Sequence, residues 1–374
     1  MASLSLKQTL AASALAFTLA LAGGIANGAE KLGSYPVDAK KVSISGISSG
    51  AFMANQFHIA HSALIMGAGM VAGGLYACAV DGIEGDHHLR VLDTLATGPC
   101  MSWPGGLQRF EVYQARVKEF ARRGWIDPVE DLEGDRVYLF TGRADQVVNP
   151  ATVHRAEQLY LSLGIANQDL KLVDVDRLPG KGAGHSWVTV AYGGPCDANT
   201  DPYIDACGYD QAGDILQHIY GKLKPRSARL SGRFIAFPQA EFVPGSKTVE
   251  NGLADTGYAY VPKTCEPGGG RTTCALHVAL HGCRQSAELL GDEFYHHIGL
   301  NEWADSNGII VLYPQAHSVS SGDFTNKQVT DLFEINPEGC WNWFGYSYDD
   351  RYPLKDGVQV TAIYNMIQRV MGES

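Results

Sequence analysis

Val42-Ser43-Ile44-Ser45-Gly46-Ile47-Ser48-Ser49-Gly50-Ala51 is the stretch on which the reading of this chain turns. Its first half alternates β-branched residues with serines, as a strand does. Its second half runs from Ala51 to His61 with apolar residues at helical spacing. Between them Gly46-Ile47-Ser48-Ser49-Gly50 fits G-x-S-x-G. A tight strand-to-helix turn lifts the serine oxygen above a sheet, and glycine on either side gives the backbone room for that turn. The bare pattern is weak, and its position between a strand and a helix is what gives it weight.

A serine becomes nucleophilic when a base takes its proton, and the base needs a carboxylate to fix its tautomer and stabilise its cation. Both occur downstream. Val137 to Thr141 reads as a buried strand and Asp145 follows its end, where functional groups of open α/β sheets collect. Composition alone would make Asp145 a turn or helix-capping residue. His185 lies in Gly182-Ala183-Gly184-His185-Ser186-Trp187, among small neighbours that let its ring approach the serine. The order Ser48, Asp145, His185 is that of an α/β-hydrolase. Of the other histidines, His58 and His61 fall on the helix after the turn, while His87-His88 and His296-His297 read as solvated pairs. No spacing resembles a metal site.

The charge that develops on an attacked carbonyl needs backbone N–H donors. Ser49, next to the nucleophile, supplies one. We assign the second to Cys283, in a His281-Gly282-Cys283 turn leaving the apolar run Leu276 to Leu280. A thiol nucleophile at Cys283 is the competing reading. An even count of eight cysteines favours a disulfide there instead.

Around these residues β-rich runs alternate with helical ones, the mark of a mostly parallel sheet with helices on both faces. Strands are expected at Val42–Ser45, Gly69–Ala72, Val137–Thr141, Leu170–Val175, Arg233–Phe237, Gly257–Val261, Leu276–Leu280 and Ile309–Tyr313. Helices are expected from about Ala51, from Ala151, over Glu293–Ser306 and over Val358–Met371. Pro195–Tyr209, Thr264–Thr273 and Ser318–Gly339 read as long loops that shape a cleft.

The N-terminus carries Lys7, an apolar run from Leu10 to Leu21 and small residues around Ala26-Asn27-Gly28-Ala29. That is a secretory signal over residues 1–29, cleaved after Gly28 or Ala29. Its apolar core is too short to span a bilayer core of roughly 30 Å. Residues 30–374 then form one catalytic domain, exported to the periplasm or beyond, with no stable membrane insertion. The net charge of −11 becomes −12 once Lys7 is removed, and no basic cluster argues for a nucleic-acid partner. Eight cysteines behind a signal imply disulfides. Proximity suggests Cys78–Cys100, Cys196–Cys207 and Cys265–Cys274, with Cys283 and Cys340 left for each other, one pairing among the roughly 105 that eight cysteines allow.

These residues resemble the poly(3-hydroxybutyrate) depolymerase esterases, of the circularly permuted α/β-hydrolase type. The resemblance rests on the Ser48 motif, on His281-Gly282-Cys283 with Gln285, on Val311-Leu312-Tyr313-Pro314-Gln315 and on Cys340-Trp341-Asn342-Trp343-Phe344. It implies an acyl-enzyme on Ser48, His185 as base and acid, Asp145 as its orienter, and no cofactor. It also implies a polyester or oligoester substrate held by aromatic residues, Trp341 and Trp343 first among them. The permutation shows in the order of parts: the His281 turn follows the triad, whereas unpermuted relatives place it before the nucleophile. Joining the helix Val358–Met371 to Tyr35-Pro36-Val37-Asp38 would restore that order. Many secreted depolymerases append a linker and a polymer-binding module, whereas this chain ends soon after its sheet, which leaves crystalline polymer in question as the substrate. The competing readings are a feruloyl or acetyl-xylan esterase and, from another class, an inactive secreted binding protein. A monomer is expected.

Overall fold

The computed structural model describes residues 30–86, 88–174, 182–270, 273–320 and 335–373. The expected signal segment 1–29 lies outside them.

Eight strands form one sheet: β1 Val37–Ile47, β2 Ile65–Val71, β3 Arg136–Phe140, β4 Leu170–Val173, β5 Arg233–Pro238, β6 Thr256–Val261, β7 Cys274–Leu280 and β8 Ile309–Tyr313. Their spatial order is β5-β6-β8-β7-β1-β2-β3-β4. Only the two pairings made by β6 are antiparallel. Inner strands are apolar on both faces because helices cover both. Along β3, Val137 and Leu139 enter one core and Tyr138 and Phe140 the other, and β7 and β8 alternate in the same way.

The first core is closed by α1 Ser49–Ala60, α2 Phe110–Arg122, α3 Pro150–Ser162 and, near the chain's end, α6 Val358–Met371. The second is closed by α4 Gln211–Tyr220 and α5 Leu300–Asn307. The helix expected over Glu293–Ser306 is broken. Glu293–His297 ends, and α5 starts after Gly299, whose φ of +87° lies in the left-handed region. Strong apolar spacing hid that break. The break leaves His296 stacked on Phe234 and His297 on Tyr192, at 3.9 and 4.2 Å between ring centroids, so this pair is not a freely solvated face. The helices α2 and α4 are additions to those expected from the sequence.

Four disulfides join Cys78 to Cys100, Cys196 to Cys207 and Cys265 to Cys274, the pairs that proximity suggested, and Cys283 to Cys340, the pair that remained. The first and last described segments meet. Tyr35 donates its N–H to the Val370 carbonyl at 2.8 Å, which ties the lead-in of β1 to α6. No helix among the described residues is long and apolar enough to cross a membrane.

Candidate functional site

Ser48 stands at the tip of β1 with φ 55° and ψ −121°, a conformation that costs a non-glycine residue energy and marks functional turns. The flanking glycines are required by contact. A β-carbon on Gly46 would lie 2.3 Å from the Gly50 carbonyl oxygen, and one on Gly50 would lie 2.3 Å from that of His281. The helix α1 therefore starts pressed against the end of β7, which puts the His281 turn beside the serine.

Asp145 sits just past β3. Its Oδ1 accepts the N–H groups of Val147 and Val148, both at 2.8 Å, and its Oδ2 faces His185 Nδ1 at 2.9 Å. The turn-former and the orienter are thus one residue, using one oxygen for each task. Because a carboxylate only accepts, Nδ1 is the donor in this pair, and in the neutral ring Nε2 is then the acceptor. Both side chains are almost wholly buried. The His185 loop reaches Asp145 because Gly142 has no side chain: a β-carbon there would lie 2.2 Å from the Ala183 carbonyl oxygen.

Asn199 went unnoticed in the sequence. Its Oδ1 accepts N–H groups from both Gln146 and His185, at 2.9 and 3.0 Å, and its Nδ2 donates to the Ala144 and Asp197 carbonyls. It clamps the acid loop to the histidine loop. Only folding brings residues 145, 185 and 199 together, and an asparagine in a loop carries no signal of its own.

The turn after β7 is held from two sides. Ala316 donates its N–H to His281 Nε2 at 3.0 Å, so Nδ1 bears the hydrogen and donates to the Gly282 carbonyl at 2.7 Å. Burial pushes the His281 pKa down to about 4, which keeps the ring neutral as this pattern requires. Carbonyl and N–H of one trans peptide point in opposite directions. Anchoring the Gly282 carbonyl therefore turns the Cys283 N–H away from His281. Gln285 Oε1 accepts the Gly282 N–H, and its Nε2 donates to the carbonyls of Pro202 and Tyr203. Ser49 is the first residue of α1, so its N–H has no partner inside the helix. The Cys283 N–H has no backbone partner among the described residues.

Ser48, Ser49, His185 and Cys283 line one cavity of about 310 Å³. Ser48 and His185 are not hydrogen-bonded to each other; such pairs often tighten only when substrate binds. The remaining walls are largely apolar, with Phe52, Met101, Val147, Val148, Trp343 and Phe344. Trp343 stacks on Phe52 at 4.3 Å. Trp341 corrects the expectation that it contacts substrate. It is fully buried, packs against His281 at 5.5 Å between ring centroids and does not line the cavity. Of the three long loops, the first and third reach the cavity through Tyr203 and residues 335–338, whereas the described part of 264–273 does not. Thr97 and Met101, in a segment not singled out from sequence, complete the wall. No group of three or more candidate ligands is arranged to hold a metal among the described residues.

No protein-family model matches the chain. It is 37% identical over 363 residues to a poly(3-hydroxybutyrate) depolymerase of Delftia acidovorans, covering 96% of this chain and 65% of that relative's length. It is 34% identical to a polyhydroxybutyrate depolymerase of Talaromyces funiculosus, covering 92% of this chain and 93% of the relative. Among solved structures, a PHB depolymerase from Penicillium funiculosum superposes with a TM-score of 0.76 at 32% identity, over 92% of this chain and 99% of that one. A serine-to-alanine PHB depolymerase complexed with an R3HB trimer matches equally well.

Proposed function

The chain belongs to the poly(3-hydroxybutyrate) depolymerase family, and on that premise we propose that it is an exported serine esterase which cleaves poly(3-hydroxybutyrate) or its oligomers through an acyl-enzyme on Ser48. The observation that carries the reading is the single apolar cavity that Ser48, His185 and the Cys283 turn share, with Asp145 2.9 Å behind the histidine.

In this reading His185 Nε2 removes the Ser48 proton as the serine oxygen attacks the ester carbonyl. The imidazolium that forms is held by Asp145 Oδ2, and the N–H groups of Ser49 and Cys283 receive the oxyanion. His185 then hands its proton to the departing hydroxyl. Water repeats the sequence against the acyl-enzyme and frees a hydroxyacid or short oligomer. Aliphatic and aromatic walls suit a polyester with few hydrogen-bonding groups better than a sugar-bearing ester, which needs polar partners. Four disulfides support passage through an oxidising compartment. We further propose that residues 30–374 act as one domain and as a monomer. Counted from β5 through the C-terminus into β1, the strand order reads 1-2-4-3-5-6-7-8, which supports a circularly permuted hydrolase sheet.

The test is clearing of an amorphous poly(3-hydroxybutyrate) suspension by the wild type and by Ser48→Ala, beside a soluble hydroxybutyrate dimer and a feruloyl ester. We expect the wild type to act on the suspension and the dimer and the variant on neither. Cleavage of the feruloyl ester alone would move the protein to carbohydrate-directed esterases. No turnover, with no labelling by a fluorophosphonate, would make it a binding protein.

A further inference from the structure

We propose that Asp205 is a second positioning carboxylate for His185, stabilising the imidazolium formed when His185 takes the Ser48 proton; the inference rests on the roles given above to Ser48, His185 and Asp145. Residues 182–209 form an excursion closed by the Cys196–Cys207 disulfide. Within it Trp187–Thr189, Gly194–Pro195 and Ile204–Ala206 make a three-stranded parallel sheet with Ile204–Ala206 in the centre. Asp205 pairs in register with Val188 and with Gly194, so it lies in the strand directly beside the one that continues from His185.

The carboxylate is 1% exposed, and neither oxygen completes a hydrogen bond. Its pocket is built for it. A β-carbon on Gly194 would come within 2.9 Å of Oδ1, and the Ser186 hydroxyl, also buried and unpaired, belongs to the residue next to His185. An unpartnered buried carboxylate is costly, and such groups concentrate where a charge has a use. Burial pushes its pKa up to about 6; the Ser186 hydroxyl opposes this, exposed Asp197 adds to it, and His185 opposes it. The last influence is reciprocal. If a charged His185 favours the ionised carboxylate, the ionised carboxylate favours a charged His185. Asp145 makes the direct contact, and Asp205 acts at longer range through an interior that screens poorly.

The sign of the stability effect follows. A carboxyl whose folded pKa lies above its unfolded value of 3.8 costs nothing while both states are protonated, costs progressively more as pH rises from 3.8 to about 6, and holds that cost at higher pH. Removing the charge should therefore slow the enzyme and stabilise it.

The experiment is Asp205→Asn in the full chain, assayed on a soluble p-nitrophenyl butyrate from pH 4.5 to 9, with melts at both ends and Ser48→Ala in parallel. We expect kcat to fall by about tenfold with KM unchanged, the equivalent of about 1.4 kcal/mol. The acidic midpoint of kcat/KM should move down by roughly half to one pH unit. Tm should rise at high pH, with the gain shrinking toward pH 4.5. Wild-type kcat with an unmoved midpoint would overturn the proposal. So would lost activity with a lowered Tm and an unmoved midpoint, since that is a structural role. Turnover surviving in Ser48→Ala would overturn the nucleophile assignment itself, and this inference with it.

Discussion

Asn199 shows how much of the proposed triad would rest on a residue outside it. Three of the four hydrogen bonds made by its amide join the segment bearing Asp145 to the backbone of His185, and the fourth goes to the nearby Asp197 carbonyl. Replacing Asn199 by Ala should leave the fold and loosen the acid–base pair. Because misplacement by about 1 Å can cost a hundredfold, we expect kcat to drop by roughly ten- to a hundredfold, with KM nearly unchanged. Steady-state kinetics beside a urea melt would check this; a loss in stability without a loss in kcat would make Asn199 purely structural. Asp145, proposed here as the acid, is marked in the sequence by its place after β3. The proposed nucleophile Ser48 is marked by motif and setting, and the proposed base His185 by its glycine-rich loop. Trp341 was misjudged because aromatic residues in one short run look alike in sequence, yet one faces the cavity and its neighbour's neighbour is sealed behind His281.

At the scale of elements, the expected strands appear with their ends shifted by a few residues, since alternating or continuous apolar runs specify them directly. Ser43 and Ser45 look out of place in the central strand until β7 is beside it. His277 then takes a hydrogen bond with each hydroxyl, at 2.7 and 2.8 Å, and Ser43 also meets the Tyr220 hydroxyl at 2.6 Å. The turn after β7 depends on an equally non-local element. The Cys283–Cys340 disulfide fastens it to the wall that carries residues 335–338 and Trp343. The double variant Cys283→Ser with Cys340→Ser should lose about 2–4 kcal/mol of stability. Its kcat should fall by about tenfold as the Cys283 N–H loses its fixed direction, a loss in the range of a weakened oxyanion donor. Denaturant melts and kinetics would separate the two effects, and an unchanged kcat would show that His281 and Gln285 hold the turn unaided.

At the scale of the molecule, the first and last described segments join beside β1, through Tyr35 and Val370. Each half of the sheet is continuous in sequence: β1 to β4 on one side, β5 to β8 on the other. A rearranged chain, with residue 373 linked to residue 30 by a short spacer and opened between Lys222 and Ser231, should therefore fold and keep esterase activity, as adjacent ends permit. Circular dichroism melts and p-nitrophenyl butyrate turnover would test it. A chain that folds only with its present ends would mean that the connection from α4 to β5 is part of the core.

What the sequence determined by itself were those features whose cause is local. These are the period of each strand, the glycines that the Ser48 turn requires, the order of the proposed nucleophile, acid and base, and the proximity that paired six of the eight cysteines. Tertiary structure alone decided the rest, because the groups involved lie far apart along the chain. It set the approach of Asn199 to two loops, the burial of Asp205 beside the histidine strand, the tautomer of His281 through Ala316, and which tryptophan faces the cavity. A hydrogen bond between residues distant in sequence has no signature until the sheet has brought them together.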